Sequence, residues 1–146
     1  MLLESAASLP ELLQQASALD LQHSSPRLER IASGLGRVVR SSRGAVLQRL
    51  IQQRVRFVED GDLEIWRSPS QTWELGFGDC DDHARLVMYL AKKSGCEAEF
   101  IFILNDSNEA LHVWCQVDGC DAETTIQANW DESPIDAVRR IGKKTW

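Results

Sequence analysis

A cysteine that directly precedes a strongly helical segment is the first residue of this chain that could do chemistry. Cys80 stands just before a helix predicted over about 81–94. A thiol at a helix N-terminus feels the positive end of the helix dipole, and the backbone N–H groups there can donate to a developing oxyanion. Carboxylates at Asp79, Asp81 and Asp82 oppose ionisation of the thiol. The cysteine therefore needs a partner that can take its proton, and histidine is the usual one.

The chain has three histidines, and His112 is the best placed to serve as that partner. It lies on a predicted strand between Leu111 and Val113, where a polar side chain needs a reason to be present. His83 follows Cys80 on the same helix and points away from the helix tip, and His23 lies in a serine-rich linker. A histidine in a strand is more often a hydrogen-bonded core residue than a base, so this pair is suggestive only.

Three separated segments together carry a recognisable pattern: GDCDDHA at 78–84, LHVW at 111–114 and DA at 121–122. In this order they resemble the transglutaminase-like superfamily, a papain-like class of cysteine enzymes. The chain is similar in particular to the small transglutaminase-like proteins of bacteriophages and prophages. The resemblance covers roughly residues 45–130, and the ordered trio is more specific than any one of its parts.

The resemblance implies a role for each matching residue. Cys80 would be the nucleophile, His112 would take the thiol proton and return it to the leaving amine, and Asp121 would orient the imidazole. The hairpin between histidine and acid is shorter here than in the family. A tight two-residue turn at 118–119 would bring Glu123 next to His112, whereas a wider turn would bring Asp121 opposite it. We expect Asp121, with Glu123 as the alternative.

Two further features of the site stay open at the level of sequence. The oxyanion hole needs a second donor, and the upstream candidates are Trp66, Gln71 and Trp73; Trp73 also fits a core or lid aromatic. Acids that flank the cysteine bind calcium in one periplasmic branch of the bacterial enzymes. Capping of the helix by Asp79 and complementation of its dipole by Asp81 are the favoured explanation, and we predict no metal and no cofactor.

Composition indicates an ordinary globular chain and limits the alternatives. The 146 residues suit one domain, with 43% apolar and 26% charged residues. No apolar run is long enough to span a membrane, and the start lacks the features of a secretory signal, so a cytoplasmic location is expected, that of the host cell for a phage-encoded protein. The four cysteines contain no CxxC pair, which argues against a disulfide framework or a zinc site. Cys96, Cys115 and Cys120 are interpreted as small buried residues.

The net charge of −6 is unevenly spread, because the stretch 27–56 holds eight arginines and a single acid. Such a stretch can bind nucleic acid, but no aromatic residue interleaves with the arginines before Phe57. We expect these arginines to lie on solvated helix faces and to pair with the acidic remainder of the chain.

The fold class predicted from the pattern of elements is α+β, with a nucleophile helix packed on an antiparallel sheet and a helical N-terminal region. A single domain is expected, with a helical part at 1–60 and a catalytic core at 61–146. The predicted elements are helices that begin near Ser8 and at Ser25-Pro26, a helix over Ala45 to Val58, an irregular segment 59–79, the helix over 81–94, strands over 98–104, 111–117 and 120–126, and a short helix from Ser133-Pro134 to Gly142.

The predicted function is a thiol-dependent hydrolase or acyltransferase that acts on amide bonds of a protein or peptide substrate through a thioester. Hydrolysis and transamidation are not distinguished, and the oligomeric state is open. The first alternative is a non-catalytic phage structural or assembly protein that retains the fold. The second is a nucleic-acid-binding module that uses the arginine-rich stretch.

Overall fold

The computed structural model of the protein describes residues 8–59, 65–107 and 109–125. These residues form helices and strands in the order expected for an α+β protein. The elements are α1 (Leu9–Gln22), α2 (Pro26–Leu35), α3 (Arg40–Arg54), β1 (Arg56–Phe57), α4 (Pro69–Leu75), β2 (Phe77–Gly78), α5 (Cys80–Lys93), β3 (Ala98–Leu104), β4 (Ala110–Val117) and β5 (Cys120–Ala122).

Helix α5 is the centre of the fold, and every residue from Asp81 to Ala91 is buried. It packs against α1, α2, α3 and α4 and against strands β3 and β4. One hydrophobic cluster therefore joins the N-terminal helices, through Leu13, Leu28 and Leu47, to α5 and the sheet. Burial on all sides fixes the helix that carries Cys80.

Strands β3, β4 and β5 form an antiparallel sheet in that order, and β1 and β2 form a short parallel pair. A two-residue turn joins β4 to β5, because Val117 pairs with Cys120. Asp118 and Gly119 have φ values of 50° and 82°, as a type I′ turn requires. The Asp118 carboxylate accepts two hydrogen bonds from the Arg40 guanidinium, at 3.0 and 2.9 Å. The turn is thus held by its own sequence and by helix α3.

The helical part of the prediction is confirmed at the first two N-termini and shifted at the third. Ser8 caps α1 as its pairing with Glu11 predicts, and α2 begins at Pro26. The helix expected over Ala45 to Val58 lies at Arg40–Arg54 instead, so Val58 follows the helix and is 40% exposed.

Helix α4 lies within the segment expected to be irregular. Ser68 and Gln71 form a reciprocal capping box, Pro69 occupies the first turn, and Gly76 ends the helix in the left-handed region at φ 75°. β5 ends at Ala122, four residues before the predicted end of the return strand. The helix predicted after Ser133-Pro134 lies outside the described residues.

Two of the three cysteines other than Cys80 are buried as expected. Cys96 and Cys115 lie in the core, whereas Cys120 is exposed at the start of β5, which contradicts its predicted burial. No helix in the part of the chain that the structure describes is long and apolar enough to cross a membrane.

Candidate active site

Cys80 is the first residue of α5, and a well-built cap holds the helix start in place. The Asp79 carboxylate accepts from the Asp82 N–H at 3.1 Å, and the Asp82 carboxylate accepts from the Asp79 N–H at 3.2 Å. This reciprocal capping box satisfies two of the orphan donors of the helix N-terminus. The capping box therefore fixes the backbone before and after Cys80, to which the thiol is attached.

Gly78 is required by the close approach of Asp82. A Cβ atom at Gly78 would lie 2.7 Å from the Asp82 Cβ and 2.9 Å from its Oδ2. Asp82 is fully buried and pairs with the Arg67 guanidinium at 2.6 Å. Its other carboxylate oxygen accepts from the Arg67 N–H at 3.1 Å. The glycine before the nucleophile therefore makes room for a buried ion pair that ties the loop before α4 to the tip of α5.

The electrostatic surroundings of Cys80 favour the neutral thiol. The thiol donates a weak hydrogen bond to Asp81 Oδ1, with a sulfur-to-oxygen distance of 3.8 Å. Burial raises the pKa of Cys80 well above its usual range, and the charges of Asp81 and Asp79 raise it further. A hydrogen bond from the Val113 backbone opposes them. Burial and the flanking acids together thus favour the neutral thiol, and Cys80 needs a base to become a nucleophile.

His112 lies on β4 and is paired with a carboxylate. Its Nε2 hydrogen-bonds to Glu123 Oε2, and both side chains are buried. The other oxygen, Glu123 Oε1, accepts from the Thr125 N–H at 2.9 Å and from the Thr125 hydroxyl at 2.7 Å. A carboxylate that accepts from Nε2–H leaves the lone pair of the neutral imidazole on Nδ1. His112 can therefore act as a base through Nδ1.

The expectation that Asp121 faces His112 is wrong in this structure. Asp121 pairs with Gln116 across the β4–β5 ladder, and its Oδ1 accepts from the Trp114 indole at 2.8 Å and from the Gln116 amide at 3.1 Å. The tight turn sets this register, which places Asp121 too far along β5 and brings Glu123 to His112. Glu123, the alternative predicted for a tight turn, is the carboxylate in contact with His112.

His83 is fully buried and has a structural set of contacts. Its Nδ1 lies 2.7 Å from the Thr124 hydroxyl, and its Nε2 lies 3.1 Å from the Arg56 carbonyl oxygen. Burial lowers the pKa of His83, while the Arg56 carbonyl and the charge of Glu123 partly oppose this. The sequence-based choice of His112 over His83 is consistent with this arrangement, because both nitrogens of His83 are engaged.

Of the three candidates for a second oxyanion donor, Trp66 alone lines the cavity that contains the cysteine. The Gln71 side chain accepts from the Ser68 N–H in the cap of α4. Trp73 is buried in the core, with the Arg54 guanidinium 4.9 Å from its ring centre. Trp66 is 38% exposed.

The cavity has a volume of about 320 Å³ and brings the chemically important residues to one surface. Its walls combine acidic and apolar side chains. Its lining within the described chain comprises Leu9, Trp66, Asp79, Cys80, Asp81, Ala110, Leu111 and His112.

Several arginines of the stretch 27–56 are engaged within the protein, and two of them pair with acidic residues as expected. Arg27 pairs with Glu74, Arg40 with Asp118, and Arg43 donates to backbone carbonyls of neighbouring turns. Among the described residues, no group of three or more His, Cys, Asp or Glu side chains is arranged to hold a metal ion.

Comparison with known proteins supports the fold. Neither the protein-family models nor the curated proteins gave a match to the chain. Among solved structures, the chain is similar to a crystal structure described as "a Putative Cysteine Protease from Cytophaga hutchinsonii", with a TM-score of 0.57 and 17% identity. The match covers 82% of this chain and 40% of that protein. The predicted fold class, α+β with a papain-like arrangement of helix and sheet, is confirmed.

Proposed function

We propose that this protein is a thiol-dependent hydrolase or acyltransferase of the transglutaminase-like type that acts on amide bonds. The observation that carries the proposal is that one cavity is lined by Cys80, on a capped helix start, and by His112, which is paired with Glu123. The likeness to phage and prophage proteins rests on the sequence pattern. The fold of the cysteine-protease neighbour agrees with this chemistry.

The reaction begins with the neutral thiol. His112 Nδ1 takes the proton from Cys80 as the sulfur attacks the carbonyl carbon of the substrate amide. Glu123 stabilises the imidazolium that forms. The C–N bond then breaks, the imidazolium returns the proton to the leaving amine, and a thioester remains on Cys80. Water releases an acid from the thioester, and an amine releases a new amide.

The oxyanion of the tetrahedral intermediate needs hydrogen-bond donors near the N-terminus of α5. The backbone N–H of Cys80 is one, because the first N–H groups of a helix have no partner within the helix. The indole N–H of Trp66 is the second, since Trp66 lines the cavity beside the thiol. The Arg67–Asp82 pair anchors the loop that carries it.

The lining of the cavity favours a substrate with an apolar group beside the scissile amide. Leu9, Trp66 and Leu111 supply apolar surface, and Asp79 and Asp81 disfavour an anionic group by like-charge repulsion. A peptide or protein with a neutral amide next to an apolar side chain fits this lining.

The test is a peptide-amide library with release of amine or ammonia as the readout. Wild-type protein should turn over a subset of peptides, and Cys80→Ser should turn over none. Cys120→Ser is the matched control, because Cys120 is an exposed cysteine outside the cavity. Turnover that survives in Cys80→Ser refutes the proposal. Absence of any turnover, together with equal alkylation of Cys80 in wild type and His112→Ala, would favour the non-catalytic structural protein.

A further inference from the structure

The carboxylate that meets His112 stands on a segment that the sheet does not hold. Pairing between β4 and β5 ends at Cys115 and Ala122, one residue before Glu123. In the described part of the chain, side-chain hydrogen bonds locate Glu123 instead. The Gln52 amide donates to the Glu123 carbonyl oxygen at 3.3 Å. The next residue along the chain provides a shorter connection.

Thr124 connects this segment to the helix that carries the nucleophile. Its hydroxyl lies 2.7 Å from His83 Nδ1, and both residues are buried. The Arg56 carbonyl next to His83 Nε2 can only accept, so Nε2 carries the proton of the neutral ring. Nδ1 is then an acceptor, and the Thr124 hydroxyl must donate to it. The direction of both hydrogen bonds of the neutral His83 ring is thus determined.

We propose that His83, acting through Thr124, is a positioning residue that places Glu123 against His112 and so fixes the catalytic tautomer of His112. His83 follows Cys80 by three positions on α5. The same rigid helix therefore positions both the nucleophile and, through Thr124, the Glu123 carboxylate. The inference rests on the proposed function for its consequence in catalysis. The geometry it claims can be tested without turnover.

The arrangement requires His83 to remain neutral. A protonated His83 carries a hydrogen on Nδ1 and cannot accept from Thr124. The charged and titratable groups that act on His83 are Glu123, Asp82 and His112. Glu123 and Asp82 favour the cation, and burial and His112 oppose it.

The experiment compares Thr124→Val, which removes the hydroxyl with little change of shape, with Thr124→Ser, which keeps it. Thr72→Val is the matched control, because the buried Thr72 hydroxyl on α4 has no hydrogen-bond partner among the described residues. Imidazole nitrogen NMR reports the tautomer of His112, and the pH profile of iodoacetamide labelling at Cys80 reports reactivity. Looser packing alone would expose the Cys80 thiol and speed its labelling, whereas loss of the His112 partnership would slow it.

We expect wild type, Thr124→Ser and Thr72→Val to hold His112 as the Nε2–H tautomer, and Thr124→Val to show a mixture. Labelling of Cys80 in Thr124→Val should fall roughly 10- to 100-fold, as for a misplaced catalytic group. An unchanged His112 spectrum in Thr124→Val overturns the inference. A changed spectrum with unchanged labelling upholds the positioning of His112 and refutes the proposed partnership with Cys80.

A measurement on the wild-type protein covers the case in which Thr124→Val does not fold. The same spectra must show His83 neutral at pH 7, with its proton on Nε2 and none on Nδ1. A proton on His83 Nδ1 at that pH overturns the inference, because Thr124 would then have no acceptor there.

Discussion

Replacement of Glu123 by glutamine changes the charge and one donor of the site while keeping its shape. In the wild type, Oε2 meets His112 Nε2 and Oε1 accepts twice from Thr125. A glutamine has one acceptor oxygen and one donor nitrogen, and it must choose between these partners. An oxygen toward His112 would set the amide nitrogen against the Thr125 N–H, donor against donor. We therefore expect the oxygen to stay with Thr125 and the nitrogen to donate to His112.

That orientation satisfies the hydrogen bonds and spoils the base. His112 Nε2 becomes an acceptor, so the proton moves to Nδ1, the nitrogen that must take the thiol proton. The buried imidazolium also loses its counter-charge. In a serine protease the equivalent change of tautomer costs about 10⁴ in kcat, and we expect a loss of about 10³ to 10⁴ in kcat for Glu123→Gln.

Asp121→Asn is the matched control. Asp121 accepts from Trp114 and Gln116 through the single atom Oδ1, and an asparagine retains that acceptor. Its kcat should stay within about threefold of wild type, which corresponds to less than about 1 kcal/mol in the barrier. The assay is steady-state turnover of a peptide amide found in the library. A mild Glu123→Gln and a crippled Asp121→Asn would refute this assignment and restore Asp121 as the third catalytic residue.

Three further changes test the electrostatics and packing of the site. Asp81→Asn should lower the pKa of Cys80 and speed its alkylation at pH 7, whereas Glu99→Gln, at an exposed acid on β3, should not; equal rates would contradict the role given to Asp81. The free energy of unfolding should fall as the pH drops below about 6.5. Burial lowers the pKa of His83 in the folded protein, so the unfolded chain binds the proton first. The slope of the free energy approaches about 1.4 kcal/mol per pH unit. Urea titrations should show a flatter profile for His83→Gln, and an identical profile would count against this source of acid sensitivity. Gly78→Ala should lower the free energy of unfolding by about 1–3 kcal/mol, because the added Cβ would clash with Asp82. An unshifted urea midpoint would show that Asp82 moves aside without a cost in stability.

Local signals in the sequence predicted the elements that carry the nucleophile and the base. Cys80 is the first residue of a helix that Asp79 and Asp82 cap, and β3 and β4 follow from short β-rich runs. Helix α4 also has a local signal, the Ser68–Gln71 capping box with a proline between them, but turn-favouring residues on both sides of it mask the helix.

The identity of the acid could not be decided from sequence because it depends on the register of one hairpin. The Asp118–Gly119 pair indicated a tight turn, and the family pattern indicated a wider one. In the structure the turn is tight, and its Asp118 carboxylate accepts from Arg40 of α3, which lies 78 residues earlier in the chain. Pairing over such a distance leaves no local pattern. The same is true of the buried pair between Arg85 and Asp20, 65 residues apart.

The proposed mechanism requires Cys80 to form a thioester with help from His112. The most direct measurement is acylation by p-nitrophenyl acetate, followed by peptide mass spectrometry of all four cysteines at short times. Acetyl should appear first on Cys80, be removed by hydroxylamine, and be strongly reduced in His112→Ala. If accessibility alone governs the reaction, the exposed Cys120 will be acylated first and His112→Ala will not change the acylation of Cys80. That result would contradict the activation of Cys80 by His112.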